Sequence, residues 1–345
     1  MRGLFWLLLI LVLPFVAGLI YQHIGALRDR RRFLGHGTLI DAGDGRHIYV
    51  SSMGSGSPAV IFESGIAATS QNWADLQKAV SKFALSVTYD RGGLGWSSAA
   101  SSERTPSNIA RELHAVLRDA GIPPPYVLVG HSFGGLVARR FTLDYPDEVV
   151  GVVLVDAMRT EDWPPVNETQ RNMLERGIRL TKIAVPIARF GIARLATTSL
   201  LCRSGMASSV LTRATGAGGR HVLDRVTCEV GKMPREVWPI VAAHWSAPSF
   251  YRGLATHLRA VPASVTEMHD APPISEIPVL LLTAGTAEPL SAESLARIGT
   301  TAEQKIATNS GHWIHLDEPE LVLEAVRAMV EHARSLEAET AEAAA

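Results

Sequence analysis

The passage from a buried strand into a helix at residues 126–145 constrains this chain more than any other stretch. Tyr126–Gly130 has the composition of a short buried strand, and it runs directly into His131-Ser132-Phe133-Gly134. A helical pattern then continues from Gly134 to about Tyr145. Gly130 and Gly134, two positions either side of Ser132, allow a tight turn that lifts the serine Oγ clear of the backbone. The N–H groups that open the following helix favour a developing anion beside it. A serine hydroxyl attacks poorly unless a base removes its proton. Ser132 is therefore a candidate nucleophile, provided that the chain also supplies a base, an acid and oxyanion donors.

The surrounding rhythm suits such a turn. His36–Asp41 and Arg46–Ser51 read as strands joined by a glycine turn, followed by strands at Pro58–Glu63 and Leu85–Asp90. Helical periodicity covers Trp73–Phe83 and Pro106–Ala120, and Val149–Val155 is a further strand ending at Asp156. Alternating strands and helices predict an α/β fold with a mostly parallel sheet covered on both faces. The strand rhythm stops between Met158 and Glu276, where helical, proline-punctuated sequence predicts a lid over the carboxyl edge of the sheet. It resumes with Pro278–Thr283, a short strand near Lys305–Thr308 and a closing helix from Glu318 to about Ala333. The expected organisation is thus an anchor and basic linker (1–35), a core in two pieces (36–157 and 277–335), a helical lid (158–276) and a disordered Ala/Glu tail (336–345).

The base should follow the last strand. Ser310-Gly311-His312-Trp313-Ile314-His315 offers two histidines there. His312, beside Gly311, is the expected base, because His315 lies nearer a helix start where capping or packing is commoner. The acid must sit on a loop beside His312. Asp156, ending one strand, and Glu288, in the loop after the next long one, both satisfy that requirement. The oxyanion donors expected are the backbone N–H of Phe133, after the nucleophile, and that of Ile66, after the Pro58–Glu63 strand. Asp90 and Arg91 read as braces of a glycine-rich turn.

The N-terminus adds a second constraint. No Asp, Glu, Lys or Arg occurs from Gly3 to Leu27, and Leu4–Ile20 is almost wholly apolar, long enough for an uncleaved single-pass membrane anchor. A cleaved signal ending at Val16-Ala17-Gly18 is the alternative. Arg28, Arg30, Arg31 and Arg32 against a single Arg2 would hold the catalytic domain in the cytoplasm by the positive-inside rule, an exported domain being the other orientation. Because nothing in the proposed site comes from residues 1–27, that segment is expected to be separable. A formal net charge of −1 speaks against a nucleic-acid partner, and the spacing of Cys, His and carboxylates suggests no metal.

In Glu63-Ser64-Gly65, Tyr89–Ser97 (YDRGGLGWS), Gly130–Gly135 (GHSFGG), Leu154–Ala157 (LVDA) and Ser310–Pro319 (SGHWIHLDEP), the chain resembles the lid-bearing serine hydrolases of the α/β-hydrolase family. Its opening segment is similar to that of a membrane-anchored bacterial subgroup. The resemblance implies an eight-stranded, mostly parallel sheet with a helical lid inserted after strand 6, and no cofactor. It also favours Asp156 over Glu288, because similar subgroup members rely on the aspartate ending LVDA. A serine at the elbow separates the chain from relatives that attack epoxides or haloalkanes with aspartate. The expected activity is hydrolysis of carboxylic esters through an acyl-serine. Thioesters, lactones or amides are alternative substrates, and a non-catalytic ligand sensor is the alternative role.

Overall fold

A computed structural model of the chain describes residues 2–43, 45–161, 163, 165–201 and 228–344. Eight strands form one sheet: β1 (Thr38–Asp41), β2 (His47–Met53), β3 (Ala59–Glu63), β4 (Ser86–Tyr89), β5 (Tyr126–His131), β6 (Val149–Val155), β7 (Val279–Ala284) and β8 (Ala302–Ala307). Their order is β1-β2-β4-β3-β5-β6-β7-β8. β1 and β2 pair antiparallel, as do β2 and β4, and the remaining pairs are parallel. This is the α/β-hydrolase fold, with the expected mostly parallel eight-stranded sheet.

The apolar runs of β5, β6 and β7 follow from burial on both faces. Successive side chains point to opposite sides. Ile61, Leu128, Leu154 and Leu281 pack with Leu113, Leu117 and Phe141 on one face. Phe62, Val129, Val153 and Leu282 pack with Val80, Val322 and Val326 on the other. The first face is covered by α3 (Pro106–Asp119) and α4 (Phe133–Asp144), the second by α2 (Ala74–Val80) and the closing helix. Each fully buried Leu, Ile, Val or Phe contributes about 1.5–3 kcal/mol. β3 and β5 are neighbours, and the chain leaves β3 toward β4 but leaves β5 toward β6, so the connections run in opposite directions from this pair. A crevice opens at such a switch point, outside the carboxyl ends of the strands. The loop after β3 and the turn after β5 both lie there.

Between β6 and β7 the described residues form helices α5 (Glu168–Arg189), α6 (Ile192–Leu201), α7 (Trp238–Ser246) and α8 (Pro248–His269). They are part of the packed body. Val261, Val265 and Met268 of α8 and Leu174 of α5 close over Ile109, Leu136 and Val137. Cys202 lies outside the described residues, and Cys228 is an exposed free thiol. After β7 come α9 (Ala292–Ile298), the single-turn α10 (Ile314–Asp317) and α11 (Pro319–Ala344).

Both ends differ from expectation. Helix α1 runs unbroken over Arg2–Phe33, so the basic stretch is no linker but the last turns of one helix. No glycine or proline interrupts Ala26–Phe33, and arginine is a good helix former. Nor does α1 stand apart. Arg194 of α6 donates from Nε to Gln22 Oε1 (3.0 Å) and from Nη1 to Asp29 Oδ2 (2.5 Å). Gln22 in turn donates to the Ser246 carbonyl at 3.1 Å. The supposed disordered tail is helical as far as Ala344. Its alanines and glutamates have high helix propensity, and they extend a helix already anchored by buried Val326, Val330 and Ala333.

Candidate active site

Ser132 sits at the junction of β5 and α4 with φ 53° and ψ −121°. A positive φ is costly for a residue with a Cβ, and neighbouring main chain holds it in place. Ser132 N–H donates to Val155 O (3.1 Å), and the Ser132 carbonyl accepts from Gly135 and Met158 (both 3.0 Å). The glycines are sterically required. A Cβ on Gly130 would come within 2.6 Å of the Gly134 carbonyl, and one on Gly134 would collide with that of Glu63.

His312 lies in the loop after β8, with its side chain 48% exposed. Its Nδ1–H donates to Asp156 Oδ2 at 2.7 Å. Asp156, directly after β6, also has a positive φ of 39°. Its N–H donates to Leu282 O (2.7 Å), and its Oδ1 accepts from Ala284 N–H (3.1 Å). The carboxylate is thus fixed from the adjacent strand β7. Burial pushes its pKa up, but the hydrogen bonds from His312 and Ala284 outweigh it and hold the carboxyl below the usual aspartate value. Glu288 is exposed in the loop after β7, where its backbone carbonyl accepts from Arg159. Among the described residues, the carboxylate meeting Nδ1 of His312 is that of Asp156.

Ser132, His312 and Ile66 line a common cavity of about 410 Å³, with Met233, Val241, Trp245 and Trp313 among its apolar walls. Phe133 is fully buried beneath it, and its N–H opens α4, where the first amides have no intrahelical acceptor. Ile66 follows a loop clamped from behind. The Arg91 guanidinium donates to the carbonyls of Ser64 (2.5 Å) and Gly65, and it pairs with buried Glu63 at 3.1 Å. Tyr89 donates to the other Glu63 oxygen. Asp90 accepts from the N–H groups of Ser70 and Trp96, both at 2.9 Å. Asp90 and Arg91 therefore brace the turn and the loop that carries Ile66.

Two contributions were not anticipated from the sequence. His131, the residue before Ser132, donates from Nε2 to the His312 carbonyl at 2.9 Å and so tethers the His312 loop to the turn at Ser132. Asp317 and Glu318 accept from Gly311 and Asn309 N–H (3.2 and 2.9 Å) and hold that loop from the other side. His315, by contrast, takes the packing role expected of it: it is buried on Trp73, ring centroids 4.4 Å apart. A histidine before the serine and carboxylates after His312 were visible, but not which partners they would meet.

The buried histidines lead to a prediction about stability. Burial, reinforced for His131 by the neighbouring His315 and His312, lowers the pKa of His131, His244 and His257, and that of His315 to about 3. An unfolded chain protonates these groups near pH ~6.5, so the native state binds fewer protons below that pH and loses stability as pH falls. Glu63 acts oppositely. Burial raises it from 4.5 to about 7 despite Arg91 and Tyr89, so it offsets one histidine over that range. Because more histidines than carboxyls act here, stability should fall as the pH drops from about 6 to 5. Denaturant unfolding of the full chain in detergent at successive pH values would measure it. A flat stability profile there would mean that these rings are not held neutral.

Comparison with known proteins agrees with the fold. Residues 58–198 match the family model for the alpha/beta hydrolase fold. The chain is 31% identical over 103 residues to YqjL of Bacillus subtilis, covering 30% of this chain and 41% of that protein. With the mouse sn-1-specific diacylglycerol lipase ABHD11 it shares 26% identity over 280 residues, 78% of this chain and 80% of the relative. The crystal structure of MGS-M2, an alpha/beta hydrolase enzyme from a Medee basin deep-sea metagenome library, superposes with a TM-score of 0.57 at 16% identity. It covers 84% of this chain and 96% of that one. The chain spans less than half the length of the first curated relatives it matches.

Proposed function

We propose that this chain, an α/β-hydrolase by its fold, is a membrane-tethered serine hydrolase that cleaves carboxylic esters. The observation that carries the reading is the 2.7 Å contact between His312 Nδ1 and Asp156, with His312 and Ser132 lining one cavity. In this mechanism Ser132 Oγ attacks the ester carbonyl carbon while His312 Nε2 takes its proton. Asp156 keeps the proton of His312 on Nδ1 and stabilises the imidazolium. The N–H groups of Phe133 and Ile66 receive the charge on the carbonyl oxygen. His312 then returns its proton to the leaving alkoxide, and the C–O bond breaks to give the alcohol and an acyl-serine. Water, deprotonated by the same imidazole, attacks the acyl carbon to release the acid and restore Ser132.

A cavity of about 410 Å³ with largely apolar walls suits one acyl ester of modest size. The lipase name of the mouse relative points to acyl-lipid substrates. For the tether, the helical segment Leu11–His36 contains an 18-residue window with a mean hydropathy of 1.3, apolar enough to cross a membrane. The arginines at 28 and 30–32 favour a cytoplasmic domain. α5 to α8 serve as the lid. A fluorophosphonate probe should label the protein stoichiometrically, with the adduct on Ser132 by peptide mass mapping. An unlabelled, folded protein would rule out an activated serine and favour a ligand-binding role.

A further inference from the structure

Helices α5 and α6 meet at 93°, around Phe190 and Gly191. On this elbow, Leu180, Ile183, Ile192 and Leu195 are 57–67% exposed and Ile187 is 39% exposed. Large apolar side chains grouped in this way mark an interaction surface. The elbow rests against α1. Phe190 meets Phe15 edge-on, with ring centroids 5.1 Å apart. Its carbonyl lies so close to Gly18 that a Cβ there would collide, and Tyr21 packs over Gly191. The exposed apolar surface of the elbow is therefore continuous with that of α1, where Leu11, Val12, Leu13, Val16 and Ile20 are also exposed.

The position along α1 gives a depth. On the reading of α1 as a membrane anchor, on which this inference rests, Tyr21-Gln22-His23 ends the apolar run, the place for an interfacial aromatic. Phe190 touches α1 between Phe15 and Gly18. At about 1.5 Å per residue that contact lies roughly 7–10 Å inside the point where α1 leaves the hydrocarbon. Amphipathic segments that lie in a bilayer surface bury their apolar face about 5–10 Å. Cations surround the elbow: Arg176, Arg179, Lys182 and Arg189 are exposed, with Glu175 paired to Arg179. Long basic side chains at this depth reach the headgroups.

We propose that the α5–α6 elbow is embedded in the same membrane interface that α1 crosses, making a second, non-spanning contact with lipid. The wall of the active site is coupled to it, because α7 supplies Val241 and Trp245 to the cavity and accepts the Gln22 hydrogen bond at Ser246. The lid is then held at the bilayer surface, where an acyl-lipid substrate resides.

The test places an environment-sensitive fluorophore on the full-length chain, on a single cysteine at Ile183→Cys, Leu195→Cys, Val12→Cys or Leu336→Cys, with Cys202 and Cys228 changed to serine. The protein is reconstituted in phosphatidylcholine vesicles with and without phosphatidylglycerol. Nitroxide lipids should quench the labels at 183 and 195 several-fold more than the label at 336, most strongly with the nitroxide near the headgroup and with phosphatidylglycerol present. The label at 12 should respond best to a deep nitroxide. If 183 and 195 behave like 336 while 12 is quenched, the anchor stands and the embedded elbow is wrong. Elbow labels shielded from both nitroxide lipids and aqueous iodide would mean a protein partner covers the elbow, which also overturns the inference. A label at 12 that behaves like 336 removes the anchor and the inference with it.

Discussion

Replacing Ser132 by alanine should lower kcat for p-nitrophenyl ester hydrolysis by roughly 10⁴- to 10⁶-fold and leave the fold intact. The change removes only Oγ. The main-chain bonds of residue 132 to Val155, Gly135 and Met158 persist, and the cost of φ 53° is similar for serine and alanine. Circular dichroism and melting temperature should therefore match the parent. What activity remains would come from the oxyanion amides and substrate positioning. A variant that kept most of its activity would show that the hydrolysis does not pass through Ser132.

The second large effect separates the two carboxylates. Asp156→Asn should cost about 10⁴-fold in kcat. The substituted side chain could still accept from Ala284 N–H through its oxygen, but its amide nitrogen would face His312 Nδ1 where the Asp156 Oδ2 now accepts. That pairing favours the proton on Nε2, the nitrogen that must stay free to take the serine proton. Glu288→Gln should leave kcat within about two-fold, since exposed polar substitutions away from such contacts change little and Glu288 is exposed. Comparing kcat for the two variants decides the matter. The reverse ranking would give the role to Glu288, and two mild losses would mean the carboxylates replace one another.

Much of this arrangement is legible in the sequence, for reasons that differ by element. Strands β5, β6 and β7 announce themselves because burial on both faces demands unbroken apolar runs. The Gly130–Gly134 turn does so because packing there excludes a Cβ. The acid is a different case. Asp156 and Glu288 follow consecutive strands, and both ends approach the loop of His312. What distinguishes them is the grip of Leu282 and Ala284 on Asp156 and a positive φ at a non-glycine residue, neither of which leaves a trace in sequence. The clamp of Arg91 on the Ser64 and Gly65 carbonyls is equally silent, because its partners are backbone atoms. At the N-terminus, hydropathy reveals an apolar helix but not that Gln22 and Asp29 on it would satisfy an arginine of α6.

That last contact determines where the chain can be cut. A soluble version made by removing residues 1–27 would take Gln22 away and leave the buried Arg194 Nε without its acceptor, a loss of about 1–3 kcal/mol. The damage would fall on α6 and, through Ser246, on a helix that walls the cavity. A version starting at Leu19 would keep Gln22, Asp29 and the whole of their pairing, and would lose only Phe15 and Gly18 from the contact with Phe190. The two truncations differ by nine residues, yet only the longer product keeps the Gln22 contacts to Arg194 of α6 and Ser246 of α7. Catalytic constants measured on the shorter one would describe a loosened cavity and not the native one.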